Sequence, residues 1–220
     1  MYDTLVFIPD QNAILVIIPN MKDSAEPKTT RDAILDATDR LLARNGYKKM
    51  TIDDLAREVG IGKGSVYLHF KSKEEIALSH IDRIIERLKR DLLSIAESRG
   101  SCDDRLKRML VERVVVRFDS VQHYTQSLNQ LLSQLRPSLL ERRKKYFDEE
   151  ARLFARVLAE GKASGEFELK DPMETAATLM DATNALLPYS LSVKELGERS
   201  EIVKKAKNVA NLVLGGLRKR

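Results

Sequence analysis

Thr51-Ile52-Asp53-Asp54-Leu55-Ala56-Arg57-Glu58-Val59-Gly60-Ile61-Gly62-Lys63-Gly64-Ser65-Val66-Tyr67-Leu68-His69-Phe70 decides the fold. Thr51 stands where a helix cap is needed, and Asp54 follows three residues on, a capping-box pattern with Asp in place of Glu. Ile52, Leu55, Ala56 and Val59 form an apolar stripe at helical spacing. Gly60 stops that helix by supplying the backbone freedom of a tight turn. A second helix of about two turns follows, small and polar at its start, with Val66 and Phe70 facing inward and Tyr67 and His69 outward. Two short helices joined by a glycine turn form a helix-turn-helix, whose second helix enters the DNA major groove by its N-terminal residues.

Residues 31–76 resemble the DNA-binding domain of the TetR family of transcriptional regulators. The resemblance rests on Ala33 and Ile34, Gly46-Tyr47, Met50-Thr51-Ile52, Leu55-Ala56 and Val59-Gly60-Ile61. Lys63-Gly64-Ser65-Val66-Tyr67-Leu68-His69-Phe70 and Lys73-Glu74-Glu75-Ile76 complete it. It implies that Thr51, Tyr67, His69 and Lys73 position phosphates, while Lys63, Gly64 and Ser65 read bases or backbone. The family usually has Ser or Thr where Gly62 stands, a substitution that costs a cap only a few tenths of a kcal/mol. The residue chemistry agrees. Lys63 sits at a helix N-terminus that already favours a phosphate, Gly64 admits close approach of the duplex, and Ser65 can donate to a base edge or a phosphate. Ser72 and Glu75 box the start of the next helix and aim Lys73 at the DNA backbone. Taken singly, each of these residues has the ordinary reading of a solvated surface residue; together they predict DNA binding.

Working outward, 220 residues suffice for a small domain and a larger one. The net charge of +5 and pI near 9.2 suit nucleic acid. Residues 28–80 hold ten Lys or Arg and eight Asp or Glu, so the DNA footprint must come from arrangement rather than total charge. Arg218-Lys219-Arg220 reads as a solubilising tail. The single Cys102 allows no internal disulfide and fits a reducing cytoplasm. The longest apolar run before the helices, Ala13–Ile18, is far short of the roughly 20 residues a membrane span needs. Asp3 stands where a signal peptide would be basic.

Leu5–Ile8 and Ala13–Ile18, separated by Pro9-Asp10-Gln11-Asn12, read as a small hairpin. Met21 onward reads as a polar arm, and Met21 is the expected natural start. From Arg31 the pattern is helical: about 30–45, then 73–98, 103–119, 121–135, 137–160, 172–189 and 194–217 beyond the helix-turn-helix. Pro137 and Pro172 are expected near helix starts, and Gly161 and Gly165 in a loop. The expected architecture is all-α: an N-terminal extension over 1–27, a DNA-binding domain over 28–75 with its motif at 51–70, and a helical body over 76–220.

The resemblance implies that the body binds a small effector, apolar or amphipathic, and forms a homodimer through its last two helices. Such a dimer reads a partly palindromic double-stranded operator. The effector site is expected among helices 73–98, 103–119, 121–135 and 137–160. Candidate contacts are Arg113, Arg117, His123, Tyr124, Gln126, Asn129, Gln130 and Tyr146. The ordinary reading of Arg113 and Arg117, two arginines snorkelling to solvent, outweighs an anionic effector there.

An enzyme has no positive support. Gly62-Lys63 lacks the phosphate-loop spacing, because Arg57 stands where its first glycine is due and Gly64 follows the lysine. His69, His80, His123 and Cys102 show no metal-ligand spacing, so no metal or cofactor is expected. The expected function is a cytoplasmic, ligand-responsive homodimeric repressor. The alternative is a helical module of the same fold that does not bind DNA.

Overall fold

The computed structural model describes residues 29–121, 125–188, 195 and 197–218, with backbone alone over 125–132. The expected hairpin and the Met21 start lie outside the described residues. Among those described there are eight helices and no strand beyond an isolated bridge between Phe167 and Arg218. None of the helices is long and apolar enough to cross a membrane.

Local chemistry sets the first four helices. In α1 (Thr30–Lys49), the Asp32 amide donates to Thr29 Oγ1 at 3.1 Å and Asp32 reaches back to the Thr29 amide at 3.3 Å. Gly46, at φ 70°, breaks α1 where Asn45-Gly46 was expected to stop it, and one more turn carries Tyr47 into the core. The same reciprocal box opens α2 (Ile52–Val59) through Thr51 and Asp54. Gly60, at φ 77°, ends it: its own amide and that of Ile61 both donate to the Ala56 carbonyl, at 2.9 and 3.0 Å. A side chain there would strain the left-handed backbone. Then come α3 (Lys63–His69) and α4 (Lys73–Glu97), the latter capped by Ser72, which accepts from the Glu75 amide at 3.1 Å.

Long-range contacts shape the rest. The start of α5 (Cys102–Val121) is capped by Glu166, whose carboxylate accepts from the amides of Cys102 and Asp103 at 2.9 and 2.8 Å. The two helices expected on either side of Pro137 are one, α6 (Thr125–Ala163), with Pro137 inside it. A proline there removes one ladder bond. Packing on both sides overrides it: Leu135 is buried, Ser138 Oγ donates to Glu74 at 2.8 Å, and Arg142 and Tyr146 both bond Asp82 on α4. Gly161 lies in α6 rather than in a loop. A Cβ there would meet the Phe167 ring at 2.3 Å, so the missing side chain is what lets that ring pack.

The seventh helix, α7 (Pro172–Asn184), is capped by Asp171, with Pro172 in the first turn as expected; it ends five residues early. The eighth, α8 (Arg199–Gly215), packs along α5, anchored by Arg199 on Asp119 at 2.8 and 3.0 Å. Arg218 is no free tail: it forks onto Asp103 at 3.1 and 2.8 Å, while Lys219 and Arg220 lie outside the described residues.

Two cores result. One gathers Ile34, Leu42, Met50, Leu55, Val66 and Phe70 of the first three helices and their turns, and continues into Val114, Phe118 and Ile202 of the body. The other joins Leu88, Leu92, Leu106, Phe154, Met180 and Leu214. The head is therefore packed against the body rather than tethered to it.

Candidate DNA-binding interface

Burial of Val66 and Phe70 fixes the rotation of α3. They are four residues apart and share a face, so the residues between them turn outward. Tyr67 is 50% exposed, Leu68 84% exposed and His69 exposed, while Ser65 is half-buried. A Cβ built at Gly62 or Gly64 would meet nothing within 4 Å, so the entry to α3 is bare backbone facing open space. The last apolar anchor, Phe70, has the Arg31 guanidinium over its ring at 4.9 Å.

The charged groups around this face are already engaged. Lys63 Nζ donates to Asp53 Oδ2 at 2.9 Å, and that carboxylate holds the ammonium above its usual pKa. Both groups are exposed, so the pair is weak in water and a phosphate can take the place of Asp53. Thr51 spends both its donors on Asp54, at 3.2 Å from the amide and 2.6 Å from the hydroxyl. Its firm role is the cap of α2; a phosphate contact from its hydroxyl requires Asp54 to let go. Lys73 Nζ donates to the carbonyls of Tyr47 and Lys48 at 3.2 and 3.5 Å and lies 4.6 Å from the Tyr47 ring centre. It ties the start of α4 to the end of α1 rather than reaching into solvent. The Tyr47 hydroxyl is pushed up in pKa by burial and by Glu74.

Of the sequence-predicted DNA residues, Lys63, Gly64, Tyr67 and His69 are exposed on α3 and Ser65 is half-buried, whereas Thr51 is engaged as the cap of α2 and Lys73 by carbonyls of α1. Two features escaped sequence reasoning. Asp53 as the partner of Lys63 spans a turn whose geometry no local pattern fixes. Leu68 is the most exposed large apolar residue of the described chain, and nothing marks it in an apolar string.

The body candidates do not gather in this way. Arg113 does not snorkel: it is 2% exposed, with Nε on Glu150 at 3.0 Å, Nη1 on Thr183 Oγ1 at 2.8 Å and Nη2 on Asn184 Oδ1 at 2.8 Å. Arg117 bonds the other oxygen of Glu150 and the Arg113 carbonyl. Glu150 is 1% exposed, so this is a buried junction of α5, α6 and α7. Tyr146 donates to Asp82; burial and that carboxylate push its hydroxyl far up in pKa. His123 and Tyr124 lie outside the described residues, as do the side chains of Gln126, Asn129 and Gln130. An open groove of about 890 Å³ runs along α4, α5 and α8, lined by Asp91, Arg99, Lys107, Glu112 and Lys207 among others. It shares α4 and α5 with the expected effector site, but its third side is α8 rather than α6. Burial and the nearby Asp91 and Asp119 raise the Glu112 pKa.

A capped helix, a left-handed glycine turn and a short second helix with a bare, outward surface define a helix-turn-helix head on a helical body. Residues 34–79 match the sequence profile of the bacterial regulatory proteins of the tetR family. The fatty acid metabolism regulator protein of Bacillus subtilis is 35% identical over 63 residues, 27% of this chain and 32% of that protein. The repressor KstR2 of Mycolicibacterium smegmatis is 27% identical over 146 residues, 65% of this chain and 70% of that protein. A TetR/AcrR-family transcriptional regulator from Thermobifida fusca superposes with a TM-score of 0.66 at 26% identity, over 86% of this chain and 98% of that one. Together these similarities support a regulator of the TetR family. Its match to the first-named of these relatives spans about a third of that protein's length.

Proposed function

We propose that this protein is a homodimeric transcriptional repressor of the cytoplasm that leaves its operator when a small molecule fills the body. The reading head is residues 28–75 and the body 76–220. The observation that carries the reading is the outward face of α3, where bare backbone at Gly62 and Gly64 adjoins Lys63, Tyr67 and His69. In the complex Lys63, Gly64 and Ser65 meet bases or backbone, Tyr67 and His69 meet phosphates, and Thr51 and Lys73 hold the frame on which those contacts depend. Two such heads read a two-fold operator. Pairing through α7 and α8 is supported by Met173 and Leu212, large apolar residues left 43% and 80% exposed on those helices.

The effector belongs among α4, α5 and α6, and its apolar or amphipathic character is in keeping with a relative named for fatty acid metabolism. The helix that transmits its presence is α4, which begins at the head and packs on α5 and α6 in the body. Because Arg113 is fully engaged by Glu150, Thr183 and Asn184, it holds the frame of that site rather than offering a free cation. A ligand that binds the released arrangement better shifts the population off DNA.

The test is binding to genomic fragments, including the region upstream of its own gene, across a salt series. The expected result is one preferred fragment over bulk DNA, with log affinity falling by about 0.9 per phosphate contact for each log unit of salt. Lys63→Ala and Tyr67→Ala weaken that binding with helicity and dimer unchanged. Absence of any preferred fragment at any salt would leave the helical-module reading in its place.

A further inference from the structure

The part of α3 that points farthest from the head's core is a leucine. Val66 is fully buried and Phe70 nearly so, and Leu68 lies midway between them in sequence, on the opposite side of the helix. It is 84% exposed, the highest value among the large apolar residues described. One turn earlier on the same outward face stands Gly64, which has no side chain and has open space beyond it. Nothing at that position shields Leu68. The polar flanks are Tyr67 and His69, on either side of it.

Resting on the DNA-binding reading above, we infer that Leu68 is a specificity residue that recognises a thymine by its C5-methyl group in the major groove. With Val66 and Phe70 toward the protein, the groove floor lies where Leu68 points, and Tyr67 and His69 point to the groove walls. A leucine side chain neither donates nor accepts a hydrogen bond. Over a G·C pair or an adenine edge it would desolvate donors and acceptors without replacing their bonds. The thymine methyl is the one apolar group the major groove offers. Removing that methyl and the leucine surface from water together makes Leu68 the residue that distinguishes thymine from the other bases at one position of each half-site.

The experiment replaces each operator thymine in turn by deoxyuridine, which deletes the methyl and leaves the pairing intact. The affinity of wild type and of Leu68→Ala for each duplex is then compared. For wild type the expected result is a loss of about fourfold per half-site at one position, the factor for about 0.8 kcal/mol per apolar carbon buried. Leu68→Ala, with unchanged helicity and dimerisation, binds the thymine operator more weakly and no longer feels the substitution at that position. An identical uracil profile for the two proteins, or a wild-type profile with no sensitive thymine, overturns the assignment while leaving DNA binding intact. Failure of wild type to bind any duplex overturns the DNA-binding reading and this one with it.

Discussion

Replacing Glu150 by Ala removes the only carboxylate bonded to both Arg113 and Arg117 among the described residues, at a position 1% exposed. The two guanidiniums cannot follow it into solvent: their side chains are 2% and 11% exposed. Arg113 keeps Thr183, Asn184 and the Met180 carbonyl on its two Nη atoms, but these bring no counter-charge, and Nε loses the acceptor it had in Glu150. Breaking a buried pair from one side costs about 3–5 kcal/mol, against a total stability of about 5–15 kcal/mol for a domain. For a chain of this size that corresponds to a fall in Tm of about 6–20 °C. Urea denaturation at fixed protein concentration, followed by circular dichroism, reads the change directly. Changing Glu150, Arg113 and Arg117 together to Met removes all three charges of the junction at similar volume and should recover much of the loss, because a buried ionic cluster is expensive mainly when part of it is gone. A Glu150→Ala protein within about 1 kcal/mol of wild type would refute the reasoning, and would mean that water reaches the junction.

The remaining predictions concern acid, the proline and the dimer. His80 is 3% exposed beside Asp39, Asp36, Arg83 and Arg87, and burial lowers its pKa from 6.5 to about 4. The unfolded chain therefore binds the proton first, so stability is full above about pH 6.5 and falls toward pH 4 by about 3 kcal/mol. His80→Asn should flatten that stretch of the stability–pH curve, and an unchanged slope would remove His80 as its source. Pro137→Ala restores an amide donor inside α6, and chemical denaturation should show a gain of about 2 kcal/mol, less what the proline saved in the unfolded chain. A loss of stability would mean that what the proline saves in the unfolded chain outweighs the restored bond. Leu212→Glu places a charge on the exposed apolar position of α8; sedimentation should show monomers with unchanged helicity, and an intact dimer would move the interface elsewhere.

The head was legible in the sequence because its determinants are local. Thr51 and Asp54 cap α2 three residues apart, Gly60 turns the chain at the next step, and Val66 and Phe70 set the rotation of α3 within one turn. The departures in the body come from partners distant in the chain. Pro137 has the local grammar of a helix start, yet Glu74 and Asp82, more than fifty residues earlier, bond α6 just beyond it, and the helix runs on through the proline. Arg113 and Arg117 share a helix face with apolar neighbours, which in isolation means snorkelling; only Glu150, over thirty residues later, makes burial affordable.

The same distinction applies at the DNA surface. Lys73 was read as a phosphate contact from its place beside the groove. Its ammonium instead closes the end of α1 through the Tyr47 and Lys48 carbonyls. On the DNA-binding reading proposed above, a residue of this kind is expected to act on DNA affinity indirectly, by tying the end of α1 to the start of α4. Mutating it would alter binding and stability together, whereas Lys63, proposed as a DNA contact and held otherwise only by an exposed pair with Asp53, is expected to alter binding with little change in stability. That contrast separates the two roles for every residue on this face. Leu68 belongs to the second group, because its exposed side chain gives the free protein little to lose when it is shortened to Ala.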